Sequence, residues 1–281
     1  MIEPYGQLRV VLRVLSDEAF GGREALSRLL ASGRRDIAEV SLEAVDRIIA
    51  KKGVEARVKL PWFLLWNRES LGPRAAEVLK LLAKDQSGTV RSAVASGVRQ
   101  LGVCTRETGI LLEELAGDPE RSVRASAGEA GGEFWGRKET LSYSIAEKLI
   151  HDDDSFVRLR TFAGLFRSVN LSPEDRMPLI TTALGDPSAQ VRLEALRAVE
   201  RLGCVDSPAL EEHLADLLTD SAEEVRLAAV TIVTRHPDIT NSSALRAKMP
   251  DLFLGRLDSG GGIAGELSTA RMIQYELMPS A

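Results

Sequence analysis

The chain has 281 residues, 44% hydrophobic and 27% charged, with a net charge of -5, and no apolar run approaches the roughly 20 residues a membrane-spanning helix needs. The acidic excess gathers in residues 141–281, with 14 Lys/Arg against 21 Asp/Glu, which opposes a nucleic-acid partner because phosphate binding calls for a basic face. Two cysteines make no disulfide framework and point to a reducing, cytoplasmic setting.

The opening "MIEPYGQLRV" has no basic segment leading into a long apolar run, so no secretory signal is expected. The first predicted element is a unit marked by Arg23, with Asp17 six residues before it. The next marker is Arg57, and the column continues through Arg91, Arg124, Arg158, Arg192 and Arg226 at steps of 34, 34, 33, 34, 34 and 34 residues. From the third unit on, each Arg follows a Val and stands six residues after an Asp: Asp85, Asp118, Asp152, Asp186 and Asp220. The first two units are degenerate, with Gly22 in place of Val in one and Lys51 and Ala56 in place of Asp and Val in the other. Terminal units of repeat arrays are commonly atypical in this way.

The second unit carries "PWFLLW", residues 61–66, which holds two of the three tryptophans. Trp62 and Trp66 are four apart and share one helical face. Pro61 either kinks a helix begun near Val54 or opens a helix delayed to that point. Two readings are open for the rings: they fill space between units, or they anchor a partner on the inner surface, where Trp is enriched in binding hot spots.

In the better-formed units that follow, each period reads as two helices. Before the Asp lies a short amphipathic run, as in "ALEEHLADLLTD", where Leu210, Leu214, Leu217 and Leu218 recur at helical spacing. After it, Val191, Ala195, Ala198, Val199 and Leu202 recur likewise, and Gly203 ends the run. The Asp is expected to cap the second helix, with Pro119 and Pro187 at its first position and Glu223 completing a capping box with Asp220. Six residues is about 240° beyond a full helical turn, which points each Arg away from its own cap. An Asp–Arg ladder is therefore expected, in which Arg91, Arg124, Arg158, Arg192 and Arg226 pair with the Asp of the adjacent unit and also reach turn carbonyls.

The fourth unit departs from the pattern in "GEAGGEFWGRKE", where Gly128, Gly131, Gly132 and Gly136 cost helix stability at about 1 kcal/mol each and predict a bend or loop. Its Trp135 is either an exposed aromatic contact or part of a packed junction. It is no phosphate loop, since neither nucleotide-binding glycine spacing is met. "HDDD", residues 151–154, invites a metal reading, but Asp152 belongs to the repeat, and His213 and His236 have no partner at ligand spacing. Cys104 and Cys204 stand three units apart, too far for a disulfide. No cofactor or metal is expected. After "RHPDIT" the period is lost: a closing helix is expected around Leu245 to Phe253, then a Gly-rich joint and an amphipathic helix over 258–281.

The pattern borne by Asp186, Val191, Arg192, Ala195, Ala198, Leu202 and Gly203 resembles the short HEAT-like repeats common in prokaryotic proteins, and the resemblance covers about residues 8–236. It implies an all-α chain in which residues 1–257 form a right-handed α-solenoid, a HEAT-like superhelix of about seven two-helix repeats. It also implies a non-catalytic scaffold or adaptor that binds another protein on the curved surface lined by the second helices. Candidate contacts there are Arg99, Arg160, Arg167 and Arg197, with Trp62, Trp66 and Trp135. Some HEAT-like relatives are enzymes, among them bilin lyases and alkylpurine DNA glycosylases. The charge balance opposes the second of these, and the residues do not separate the first. A regulatory subunit of a larger assembly is a third expectation.

Overall fold

The computed structural model describes residues 4–16, 20–51, 53–102, 105–135, 140–168, 172–204 and 208–236. These are helical throughout, with no strand among them. Asp17, Cys104 and Gly136, and the helices expected beyond residue 236, lie outside the described residues.

The chain divides into two compact units, residues 1–170 and 171–281. The first contains α1 (Pro4–Ser16), α2 (Phe20–Ala31), α3 (Arg35–Lys51), α4 (Val54–Val58), α5 (Leu60–Trp66), α6 (Arg68–Leu71), α7 (Pro73–Leu82), α8 (Gly88–Leu101), α9 (Arg106–Leu115), α10 (Arg121–Phe134), α11 (Thr140–Leu149) and α12 (Ser155–Arg167). The described helices of the second are α13 (Pro173–Leu184), α14 (Ala189–Leu202), α15 (Pro208–Leu217) and α16 (Glu223–Arg235).

In the first unit α4, which carries Arg57, and α5 after it both pack on α8, α8 packs on α10 and α10 on α12, while α11 packs on α9 in a second row. In the second unit α14 packs on α16 and α13 on α15. The repeat's Val column holds these rows together: Val90, Val123, Val157, Val191 and Val225 are fully or almost fully buried. Complete burial of such a side chain is worth about 1.5 to 3 kcal/mol. Gly102 and Gly203 follow α8 and α14 with φ of 70° and 62°, the left-handed conformation that ends a helix without a Cβ penalty.

Two local expectations are corrected. The glycines of α10 do not break it, and the helix runs unbroken to Phe134. A Cβ on Gly132 would stand 2.7 Å from the Leu165 amide nitrogen and the Thr161 carbonyl oxygen, and one on Gly164 would stand 2.3 Å from the Glu129 carbonyl oxygen. The glycines on α10 and α12 thus let two backbones meet, and the packing gained there outweighs the lost helix propensity. The second correction concerns the caps. The ladder Asp residues are not N-caps: α8, α10, α14 and α16 are preceded by Ser87, Glu120, Ser188 and Ala222 at that position. Pro119 and Pro187 therefore sit in the turn before the helix, and Glu223 opens α16 without forming a capping box with Asp220. Each Asp instead folds its own turn, accepting from the backbone amide two residues on at 2.8 to 2.9 Å. At Asp85, Asp118, Asp152 and Asp220 the remaining acceptor capacity is turned outward to a guanidinium.

Candidate binding face

The ladder pairs are bidentate. Nε of Arg57 donates to Asp85 at 2.7 Å, of Arg91 to Asp118 at 2.6 Å, of Arg124 to Asp152 at 2.7 Å and of Arg192 to Asp220 at 2.7 Å, each with Nη2 on the second carboxylate oxygen. The third arm, Nη1, ties the turn of the Arg's own unit: Arg91, Arg124, Arg158, Arg192 and Arg226 each donate to the carbonyl of the Asp six residues earlier, at 2.6 to 3.0 Å. One side chain thereby closes its own helix–helix turn and clamps the next. Burial pushes the Asp85, Asp118 and Asp152 carboxyls up, but the guanidinium and backbone hydrogen bonds outweigh it and hold all three below the ordinary value. At Arg226 the Nε is buried and has no hydrogen-bond partner among the described residues.

These groups are consumed by the architecture. The side chains two, five and nine residues after each column Arg share one face of the second helices. On α5 the five and nine positions are Trp62 and Trp66; on α8 Ser96 and Gln100; on α10 Glu129 and Glu133; on α12 Ala163 and Arg167. A helix does begin at Val54, but it breaks after Val58 and α5 opens anew at Leu60 with Pro61 in its first turn, so the chain combines the interrupted early helix with a fresh start at the proline. Pro61 and Leu65 are buried and approach Gly97 of α8, which turns the tryptophans the other way. The two rings stack with centroids 5.6 Å apart and planes 14° apart. Trp62 is half-buried against the core, and Trp66 is 57% exposed. Asn67 ends the helix beneath them, its side-chain amide donating to the Phe63 carbonyl at 2.8 Å.

Further along the same face, Glu129 is only 4% exposed. Arg160 and Arg167 of α12, seven residues apart and on one face, both donate to its carboxylate. Their own side chains stay 42% and 43% exposed. Beside them Arg99 of α8 meets Glu133 of α10 at 3.3 Å, and the hydroxyls of Ser92 and Ser126 lie 2.7 Å apart. The result is a cross-helix charge cluster in which three arginines face two glutamates, the more central glutamate lying underneath.

Of the candidate contacts, Trp62, Trp66, Arg99, Arg160 and Arg167 lie along this row of helices. Trp135 does not: it ends α10 and packs on Tyr143 of α11, ring centroids 4.2 Å apart. Arg197 belongs to the second unit, where it is exposed on α14 and 3.9 Å from Glu194. Glu129 was missed by sequence reasoning. Its signal was present, since the equivalent positions hold Trp62, Ser96, Ala163 and Arg197, but nothing local marks it as the residue that holds two arginines. In "HDDD", His151 is exposed, Asp152 is a ladder residue and Asp154 caps α12 through the Phe156 amide at 2.9 Å. The described residues contain no His, Cys, Asp and Glu cluster able to hold a metal and no helix long and apolar enough to cross a membrane. Burial raises the Cys204 thiol above its ordinary value, which keeps it protonated and unreactive near neutral pH.

No family model matches the chain, and no curated protein is similar to it. Among solved structures, the X-ray structure of YibA from E. coli is similar with a TM-score of 0.54 at 17% identity, over 92% of this chain and 97% of that one. The crystal structure of an engineered protein matches with a TM-score of 0.45 at 17% identity, over 97% of this chain and 84% of that one. At such identity the likeness to YibA is one of fold: this chain has a YibA-like, all-helical fold.

Proposed function

We propose that each unit is a stretch of HEAT-like α-solenoid and that the protein is a non-catalytic scaffold or adaptor, binding another protein on the face of its second helices. The observation that carries this reading is Trp66. A large ring 57% exposed, stacked on a second ring and mounted on a rigid helix, is a binding anchor whose ordering cost is already met. Support also comes from the ladder, which repeats from unit to unit through residues other than those at positions two, five and nine, so the joints between helix pairs do not consume that face.

The test is site-specific photo-crosslinking in the native host, with a benzophenone amino acid replacing Trp66 on the binding face or Glu113 on α9. The expected result is a discrete adduct with a different protein from position 66 and none from position 113. Equal labelling from both positions, or no adduct from position 66, overturns the proposal.

A further inference from the structure

Resting on the reading that this face binds a protein, we infer that its occupant is an extended acidic segment of the partner, with an apolar side chain on Trp66 and carboxylates on Arg160 and Arg167. The electrostatics choose the sign. Glu129 is buried and already shared by two guanidiniums, so what a ligand meets at that end is the half-exposed edge of Arg160 and Arg167, with Arg99 beside it. A guanidinium offers five N–H donors in a planar fork, and one shared carboxylate leaves donors facing outward. A basic segment would meet like charge there, and a neutral one would leave those donors unmatched.

Glu129 also explains why the pair is preorganised. Two long arginine side chains ordinarily lose rotamer freedom when they bind a ligand. Here the buried carboxylate fixes them in advance, and the glycine contact between α10 and α12 brings their helix close enough for both to reach it.

The geometry sets the length of the segment. From α5 to α12 the row takes three steps, α5 to α8, α8 to α10 and α10 to α12. At about 8 to 10 Å per step the aromatic and arginine ends are roughly 25 to 30 Å apart. An extended peptide at about 3.3 Å per residue covers that distance in about eight or nine residues. Between the two ends the face carries Ala93, Ser96 and Gln100 of α8 and Ser126 and Glu133 of α10, the glutamate being paired with Arg99, so uncharged and small side chains make up most of the path.

The experiment uses the full chain and fluorescein-labelled peptides read by anisotropy. Each peptide carries a Leu pair and a Glu pair separated by a Gly/Ser spacer, in both polarities, with a long spacer matching the eight or nine residues or a short one of two residues. Matched peptides carry Gln or Lys in place of Glu. Because removing the arginines alone strands a buried carboxylate, the main variant is the triple Arg160→Met/Arg167→Met/Glu129→Gln, with Arg160→Lys/Arg167→Lys as a charge-keeping companion and circular dichroism to confirm folding.

The expected result is that a long-spacer Glu peptide of one polarity binds at least tenfold more tightly than its Gln and Lys counterparts and weakens with added salt. The triple variant should lose that preference, the lysine variant should keep part of it, and Trp66→Ser should weaken Glu and Gln peptides by the same factor. The inference is overturned if no peptide binds, if Gln or Lys peptides or a DNA oligomer bind as well, if the short spacer serves equally, or if the triple variant keeps the preference. It is also overturned if apparent affinity falls as protein concentration rises, which assigns the face to a second copy of the chain. Failure here with a successful crosslink from position 66 leaves a protein-binding face of different chemistry; failure of both removes the binding reading itself.

Discussion

Arg91 and Asp118 are 27 residues apart in the chain, and their side chains meet at 2.6 Å with a second bond at 2.9 Å. The other pairs in this series, Arg57–Asp85, Arg124–Asp152 and Arg192–Asp220, span 28 residues. The one short step in the repeat is thus absorbed between the helices, and the bidentate contact survives it. This insensitivity to a deleted residue marks the pair as a fixed joint between neighbouring helix pairs.

Removing one side of such a joint strands the other. Arg192 and Asp220 are 12% and 7% exposed, so Arg192→Met leaves a carboxylate largely cut off from water and the turn carbonyls of Asp186 and Pro187 without their guanidinium donor. The expected loss is about 3 kcal/mol, in the range for breaking a buried pair. Arg192→Lys should also destabilise, because an ammonium does not span the carboxylate and the turn carbonyls at once. Urea unfolding monitored by circular dichroism measures both.

Acid should loosen the first unit through the same joints. The Asp85, Asp118 and Asp152 carboxyls are depressed in the folded chain, so their contribution is present above the unfolded carboxylate value and is lost as pH falls through their folded values. The urea midpoint is expected to fall steeply below the ordinary Asp range. Arg91→Met should flatten that slope by removing the group that lowers Asp118. A slope identical in the variant and the native chain contradicts the assignment.

Gly132→Ala tests backbone contact against helix propensity. On propensity alone the change should stabilise α10 by about 1 kcal/mol. The added Cβ would meet backbone atoms of Thr161 and Leu165 at 2.7 Å, which no side-chain rotation relieves. We expect a net loss of about 1 to 3 kcal/mol, as for overpacking, with a lowered Tm by calorimetry.

Glu129 and its two arginines should respond asymmetrically. Arg160→Met/Arg167→Met leaves a 4% exposed carboxylate without its cations and should cost about 3 to 5 kcal/mol. Glu129→Gln leaves two half-exposed guanidiniums that water can serve, and should cost about 1 to 2 kcal/mol. Denaturant midpoints of the two variants, measured side by side, give the comparison.

Trp66→Ser should leave stability within about 0.5 kcal/mol, because an exposed side chain away from the core contributes little to folding. It should also remove most of the acrylamide-quenchable tryptophan emission, since Trp62 and Trp135 are half-buried. A large stability loss would place Trp66 in the core instead of on the surface.

What the sequence determined by itself is the periodic part: the Arg and Asp columns, the buried Val positions, the two-helix reading and the stop at Gly203. Those features depend on spacing along one helix, and spacing is written directly in the order of residues. The turn geometry was harder, because an Asp before a helix signals a cap from sequence alone, whereas its carboxylate is here committed to a turn amide and a distant guanidinium. The glycines of α10 misled for a related reason. Their propensity cost is local, but the compensating contact with Thr161, Gly164 and Leu165 exists only once α12 lies against them. Only tertiary structure could therefore show that Glu129 gathers Arg160 and Arg167, and that Trp66 faces out while Leu65 faces in, since both follow from how closely and in what register neighbouring helices pack.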